Sequence, residues 1–235
     1  MTPAFRPSAR CPRTFIACLL LVAASGCGLP ATAAETAPGD WRAALREFAA
    51  GHFHHPAWGY SHALRGYELA RDLARDDHAA LDDDVLYAAA LVHDIAAFPP
   101  WANPKGDHAD EAARIVDTVL RDAGFPMAKL EAVRGAIRTH MYDREPVGPE
   151  ALYLHDADSL DWLGAIGVAR LFATVDAAGG APDGPTIARG LEDLLAKVPA
   201  RILTPAGRAR LEVRRAELAR FLDELKHESR DFATL

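Results

Sequence analysis

The residues of this chain best equipped for chemistry are its histidines and aspartates. Ten histidines stand at positions 52, 54, 55, 62, 78, 93, 108, 140, 155 and 227. The pair His93-Asp94 is the most informative. It closes the run Val85-Leu86-Tyr87-Ala88-Ala89-Ala90-Leu91-Val92, which is apolar nearly all round. A helix of that kind belongs in the middle of a bundle. A carboxylate at its end is costly to bury unless it is paired or binds a metal. Taken alone the pair is a weak signal, because so many His and Asp residues produce one adjacent pair by chance. His155-Asp156 is indeed a second one. The competing reading is a hydrogen-bonded helix terminus.

His62 stands 31 residues before His93, in the middle of a predicted helix. Asp158 stands 64 residues after Asp94, in the string Leu154-His155-Asp156-Ala157-Asp158-Ser159-Leu160-Asp161. A mixed nitrogen and oxygen set drawn from three helices can surround one ion inside a bundle. Such ligands suit Mn, Fe, Co, Ni or Zn. Thiolate ligation is excluded from the body of the chain, since Cys11, Cys18 and Cys27 all lie near its start. For the same reason no disulfide framework is expected.

In this order, His…His-Asp…Asp, the chain resembles the HD superfamily of metal-dependent phosphohydrolases. Leu91-Val92-His93-Asp94-Ile95 is similar to the family's apolar-apolar-His-Asp-Ile segment, and Ser61-His62-Ala63-Leu64-Arg65 to its first-histidine helix. The stretch from Asp156 through Asp158, Leu160, Asp161, Leu163 and Gly164 to Arg170 resembles the D-A-D-x-L-D-x-L-G-A-I-G-x-A-R stretch of one bacterial branch. Carried over residue by residue, the resemblance implies His62, His93, Asp94 and Asp158 as metal ligands. It favours Asp158 over Asp156, and leaves Asp156 and Asp161 as supporting or capping carboxylates.

The chain also departs from the family. Trp58 stands where branch members often carry another histidine, and Ala96-Ala97 follow where many have Gly-Lys. Lys105, in the loop after Pro100, is the candidate replacement for that lysine, against an ordinary solvated role. Two-metal members place two histidines between the His-Asp pair and the last Asp. His108 and His140 occupy that interval. They are candidates for a second metal bridged by Asp94, for contacts to substrate phosphate, or for helix-end hydrogen bonds. The remaining histidines at 52, 54, 55, 78 and 227 are expected at the surface.

The resemblance implies hydrolysis of a nucleotide or other small phosphoester, with one divalent transition metal and two as the alternative. Asp94 is the expected catalytic base. Arg65, three residues after His62 and so near the same helix face, either contacts phosphate or bridges to another helix. Two other readings stay open: an HD-fold di-iron oxygenase, and a non-catalytic metal- or ligand-binding module.

The elements that must position these residues read as helices joined by Pro/Gly-rich turns, with no sustained period-2 alternation. An all-α, HD-type bundle of about seven to nine helices is expected, in one domain over residues 35–235. Helices are predicted over Trp41–Ala50, Pro56–Asp76, Val85–Phe98, His108–Asp122 and Ala128–Met141. Helix resumes near Glu150 and runs to about Val175, with its interruption placed at Asp156. Ala178–Pro185 reads as a flexible connection, and Ile187–Lys197 and Ala206–Lys226 as the last two helices.

Residues 1–34 differ in composition. Arg6, Arg10 and Arg13 precede a short apolar run, and Ala31-Thr32-Ala33-Ala34 follows, with no acidic residue in the segment. These are the parts of a secretory signal peptide. Ala24-Ser25-Gly26-Cys27 also resembles a bacterial lipobox, so lipidation at Cys27 and cleavage near Ala33 or Ala34 are both open. Either predicts export, to the periplasm or as a membrane-anchored lipoprotein of a bacterium. Without those three arginines the 33 acids face 23 basic residues, a net charge of −10. Duplex nucleic acid is therefore a poor partner, because binding it depends on Lys and Arg neutralising phosphates. A small phosphorylated substrate fits if a metal supplies the positive charge.

Overall fold

Five of the nine helices among the described residues start where the sequence offers a capping side chain. A computed structural model describes residues 39–235; residues 1–34, expected to be a leader, lie outside the described residues. Helix α1 (Trp41–His52) begins at Asp40, whose side chain accepts from the Arg42 and Ala43 amides. Helix α3 (Asp83–Val92) begins at Asp82 in the same way, and α4 (His108–Ala123) at Asp107. Helix α6 (Pro149–Asp161) opens with proline, whose missing N–H costs nothing in a first turn. Between these lie α2 (Tyr60–Asp76) and α5 (Leu130–Arg138). The chain continues through α7 (Gly164–Phe172), α8 (Gly184–Lys197) and α9 (Pro205–Glu228). The described residues thus hold nine α-helices, three short 3-10 turns and no strand.

Every residue of α3 from Val85 to Val92 is buried. The helix packs against α1, α2, α5 and α6, while α2 and α6 pack extensively on each other. This is the central placement that an apolar helix requires. Helices α7, α8 and α9 pack among themselves, and α9 also leans on α6 and α2. The described residues form one packed unit.

Several boundaries differ from the expected ones. Helix α2 starts at Tyr60 rather than Pro56, because residues 55–58 are tied into a separate turn: His55 Nδ1 accepts the amides of Ala57 and Trp58 at 3.1 and 3.3 Å. Gly59 follows in extended conformation, where a Cβ would sit 2.4 Å from the His55 carbonyl oxygen. Helix α3 stops at Val92 rather than Phe98, and His93 and Asp94 lead into a 3-10 turn at Ile95–Ala97. Helix α5 ends at Arg138, so His140 lies just beyond it. The break expected at Asp156 falls at Trp162–Leu163 instead. Gly164, at φ 66°, makes the corner. Helix α8 starts at Gly184 rather than Ile187 and so takes in Pro185.

Candidate metal centre

Four histidines and two aspartates converge where α2, the end of α3, the start of α4, the end of α5 and α6 meet. His62 on α2 and His93 at the C-cap of α3 are both buried, and their Nε2 atoms lie 3.2 Å apart. Asp94 Oδ2 is 3.2 Å from His93 Nε2 and 3.6 Å from His62 Nε2. Asp158 on α6 places Oδ1 3.2 Å from His62 Nε2. The other oxygen of Asp94 faces the opposite way, 3.5 Å from His108 Nε2 and 4.0 Å from His140 Nε2. Among the described residues, two sets therefore have ligand atoms within 4.8 Å of one another: His62, His93 and Asp94, and Asp94, His108 and His140. Asp94 belongs to both. Asp158 belongs to neither and approaches the first set through His62.

The far side of each ring fixes its orientation. His62 Nδ1 donates to Asp161 Oδ2 at 2.9 Å. His93 Nδ1 donates to the Ala90 carbonyl at 2.8 Å, and His140 Nδ1 to the Ile137 carbonyl at 2.6 Å. Each bond turns Nε2 toward the cluster. His140 Nε2 is then a buried nitrogen with no hydrogen-bond partner. Burial, with the neighbouring His93, pulls the His140 pKa down to about 4, so at neutral pH this atom presents a lone pair. An unsatisfied buried lone pair aimed at a carboxylate is the environment a cation resolves. The donors are imidazole nitrogens and carboxylate oxygens, as divalent transition metals require. By this test the residues fit the metal.

The electrostatics are those of a site built around charge. Burial alone would raise the Asp94 pKa, but His93 and His108 hold it well below the usual carboxylate range. Burial opposes ionisation of Asp158 too, and the bond to His62 outweighs it. Burial would lower the His62 pKa, yet Asp158 and Asp161 hold it up at about 9. His108 is raised by its bond to Asp94. Its side chain is 36% exposed, whereas His140 is buried.

Arg65 Nε and Nη2 both bond to Asp161, at 2.8 and 2.7 Å, so its guanidinium bridges α2 to α6. Lys105 is exposed in the loop before α4. Asp156 is fully buried away from the ligand sets, accepting from the Leu203 and Thr204 amides and the Thr204 hydroxyl. His52, His54, His78 and His227 are exposed as expected, while His55 is half-buried with its ring stacked on Trp58 at 3.5 Å.

A cavity of about 190 Å³ opens onto the cluster. Asp94, Asp158 and His108 form its polar lining, and Trp58, Trp162, Met141 and Ala97 its apolar lining. Arg170 is the supporting residue to which sequence reading gave no role. It is buried, bonds Asp161 Oδ2 at 2.8 Å and the Ala57 carbonyl at 2.5 Å, and lies 4.0 Å over the Trp162 ring. The signal was present: Arg170 is the one charge in the apolar segment Gly164–Phe172, and a charge there has to find partners.

Residues 59–163 match the family model of the HD domain. The chain carries an HD domain. The matched span runs from the glycine before α2 to the end of the α6 corner, and so includes both ligand sets. The whole fold is similar to a predicted HD superfamily hydrolase from an uncultured Thermotogales bacterium. The two are 27% identical over 80% of this chain and 91% of that one, with a TM-score of 0.55. A Lactobacillus plantarum protein is similar at 23% identity, 82% and 98% coverage and a TM-score of 0.61. Bacillus subtilis YpgQ, solved in complex with ADP, is similar at 22% identity, 80% and 97% coverage and a TM-score of 0.61. No curated protein matches the chain by sequence. The HD domain is a hydrolase-type fold that binds divalent metal, and here its His and Asp groups form the two sets described above.

Proposed function

We propose that the protein is an exported, metal-dependent phosphohydrolase acting on a small phosphoester. The observation that carries this reading is Asp94, whose two oxygens face two separate histidine pairs at the floor of a cavity. His62, His93, Asp94 and Asp158 would hold the ion. A divalent ion bound there supplies positive charge beside the phosphate and makes water a nucleophile near neutral pH.

The chain's own residues do the rest. Asp94 Oδ1 reaches the cavity on the His108 side and accepts a proton from the attacking water. Asp161 and the Ala90 carbonyl keep the His62 and His93 rings from turning. Trp58 and Trp162 narrow the cavity and limit the water inside it. His108, at the mouth, donates to a phosphate oxygen. A second ion would be held by His108 and His140 alongside Asp94.

Purified protein loaded in turn with Mn, Fe, Co, Ni or Zn should release phosphate from members of a phosphoester panel. Asp94→Ala should abolish turnover and most metal binding while leaving the helical circular dichroism spectrum in place. Two bound irons with oxygen-dependent turnover would instead favour an oxygenase. Metal binding without turnover on any phosphoester would favour a binding module. That bound YpgQ structure supports a phosphorylated ligand for this fold.

A further inference from the structure

The cavity over the metal cluster has an unusual lining for a site that meets phosphate. None of its lining residues is Lys or Arg. The two arginines behind the cluster are committed elsewhere. Both Arg65 and Arg170 bond to Asp161. A polyphosphate brings several negative charges, and proteins meet such chains with Lys or with the paired donors of Arg. Besides the carboxylates Asp94 and Asp158, the lining offers the ligand only one basic group, His108, already shared with Asp94 at 3.5 Å, so an ion must supply most of the attraction. One phosphate group can be held that way. A chain of them would leave its further charges without Lys or Arg to meet them.

The rest of the lining is flat and aromatic, and it is held rigidly. The Trp58 amide donates to His55 Nδ1 at 3.3 Å, and the Trp58 ring stacks on the His55 ring at 3.5 Å with an interplanar angle of 18°. Trp162 is backed by the Arg170 guanidinium at 4.0 Å. Both rings are half-buried and both line the cavity. A ring already fixed by a neighbour loses little freedom on meeting a ligand, so its face is available for stacking.

Resting on the phosphohydrolase reading, we infer that the substrate is a singly phosphorylated ester whose organic group carries a flat aromatic ring, bound against Trp58. Polyphosphates such as nucleoside triphosphates are poor substrates. Trp58 is the specificity-determining residue.

The test separates binding from turnover. In equilibrium titrations of the metal-loaded protein, phenylphosphonate should bind at least about fivefold more tightly than methylphosphonate, the size expected of one aromatic stack. Trp58→Leu, which keeps an apolar side chain but removes the π face, should erase that difference. Trp58→Phe should keep most of it and controls for folding. In excess metal, AMP should displace phenylphosphonate better than ATP does. In turnover, phenyl phosphate and AMP should both exceed glycerol phosphate and ATP in kcat/KM. The better of the two shows whether the ring is attached directly or through a sugar. Equal affinity for the two phosphonates, a preference that survives Trp58→Leu, or ATP outcompeting AMP would overturn the inference. Trp58-dependent binding with no turnover of any ester would leave the ligand preference at Trp58 standing and overturn the hydrolase reading and, with it, the assignment of a substrate.

Discussion

Asp161 uses both of its oxygens on partners from two other helices: His62 and Arg65 on α2, and Arg170 on α7. It carries no ligand atom to the cluster, yet it sets the direction in which His62 points. Burial favours the neutral form of Asp161, and the bonds from Arg65 and His62 overcome this, holding the carboxyl well below its usual range. Replacing Asp161 with alanine should weaken metal affinity by about 10- to 100-fold, the usual cost of losing a ligand's supporting carboxylate. It should also destabilise the fold by about 3–5 kcal/mol, because Arg170 would be left buried beside a missing partner. Titration calorimetry and urea unfolding would read the two effects. Unchanged affinity in Asp161→Ala would show that His62 is oriented by something else. Residues of this kind divide by how far they reach. That His62, His93, Asp94 and Asp158 would lie near one another was expected from the family resemblance, because residue type, order and apolar flanks all survive in one dimension. The grip of Arg170 on the Ala57 carbonyl joins positions 113 apart, and no local pattern records it.

At the level of elements, the helices themselves were legible from capping aspartates and from Pro/Gly breaks, but some of their ends were not. His93 illustrates why. Its ring bonds the Ala90 carbonyl at the end of α3, and the 3-10 turn that follows swings Asp94 toward the cluster. An unbroken apolar pattern gives no hint of that turn. The break misplaced at Asp156 has a similar origin. Asp156 is not a helix breaker but a buried staple. Its carboxylate holds the Thr204 amide and hydroxyl, each at 2.7 Å, and the Leu203 amide at 3.0 Å, fixing the start of α9 to α6. Substitution by alanine would strand those donors and should cost about 2–4 kcal/mol. Asp156→Asn should recover part of the loss. Equilibrium denaturation would check this, and a change smaller than about 0.5 kcal/mol, the level of an ordinary surface substitution, would mean that the staple is unimportant.

Across the whole molecule, composition indicated a thiol-free and acidic body and periodicity a helical one, behind an expected basic, apolar leader. The all-helical architecture agrees with that reading. The leader, residues 1–34, lies outside the described residues, so export is best tested on the protein itself. Expressed in a bacterium, the protein should reach the periplasm or a membrane. Intact-mass analysis should find a new N-terminus at Cys27 with added lipid, or one at residues 33–36. An unprocessed chain in the cytoplasm would defeat the proposal. The cavity's dimensions and the loss of Arg65 to Asp161 could not be read in advance, because both depend on how α2, α6 and α7 lie against one another. The staple between Asp156 and residues 203–204 also bears on the order of synthesis. All the candidate ligands have left the ribosome once residue 158 emerges, but the helix that carries Asp158 gains its anchor only some 45 residues later. A chain crossing a membrane as an unfolded thread would thus assemble its metal site late, after the last helix has followed the others through.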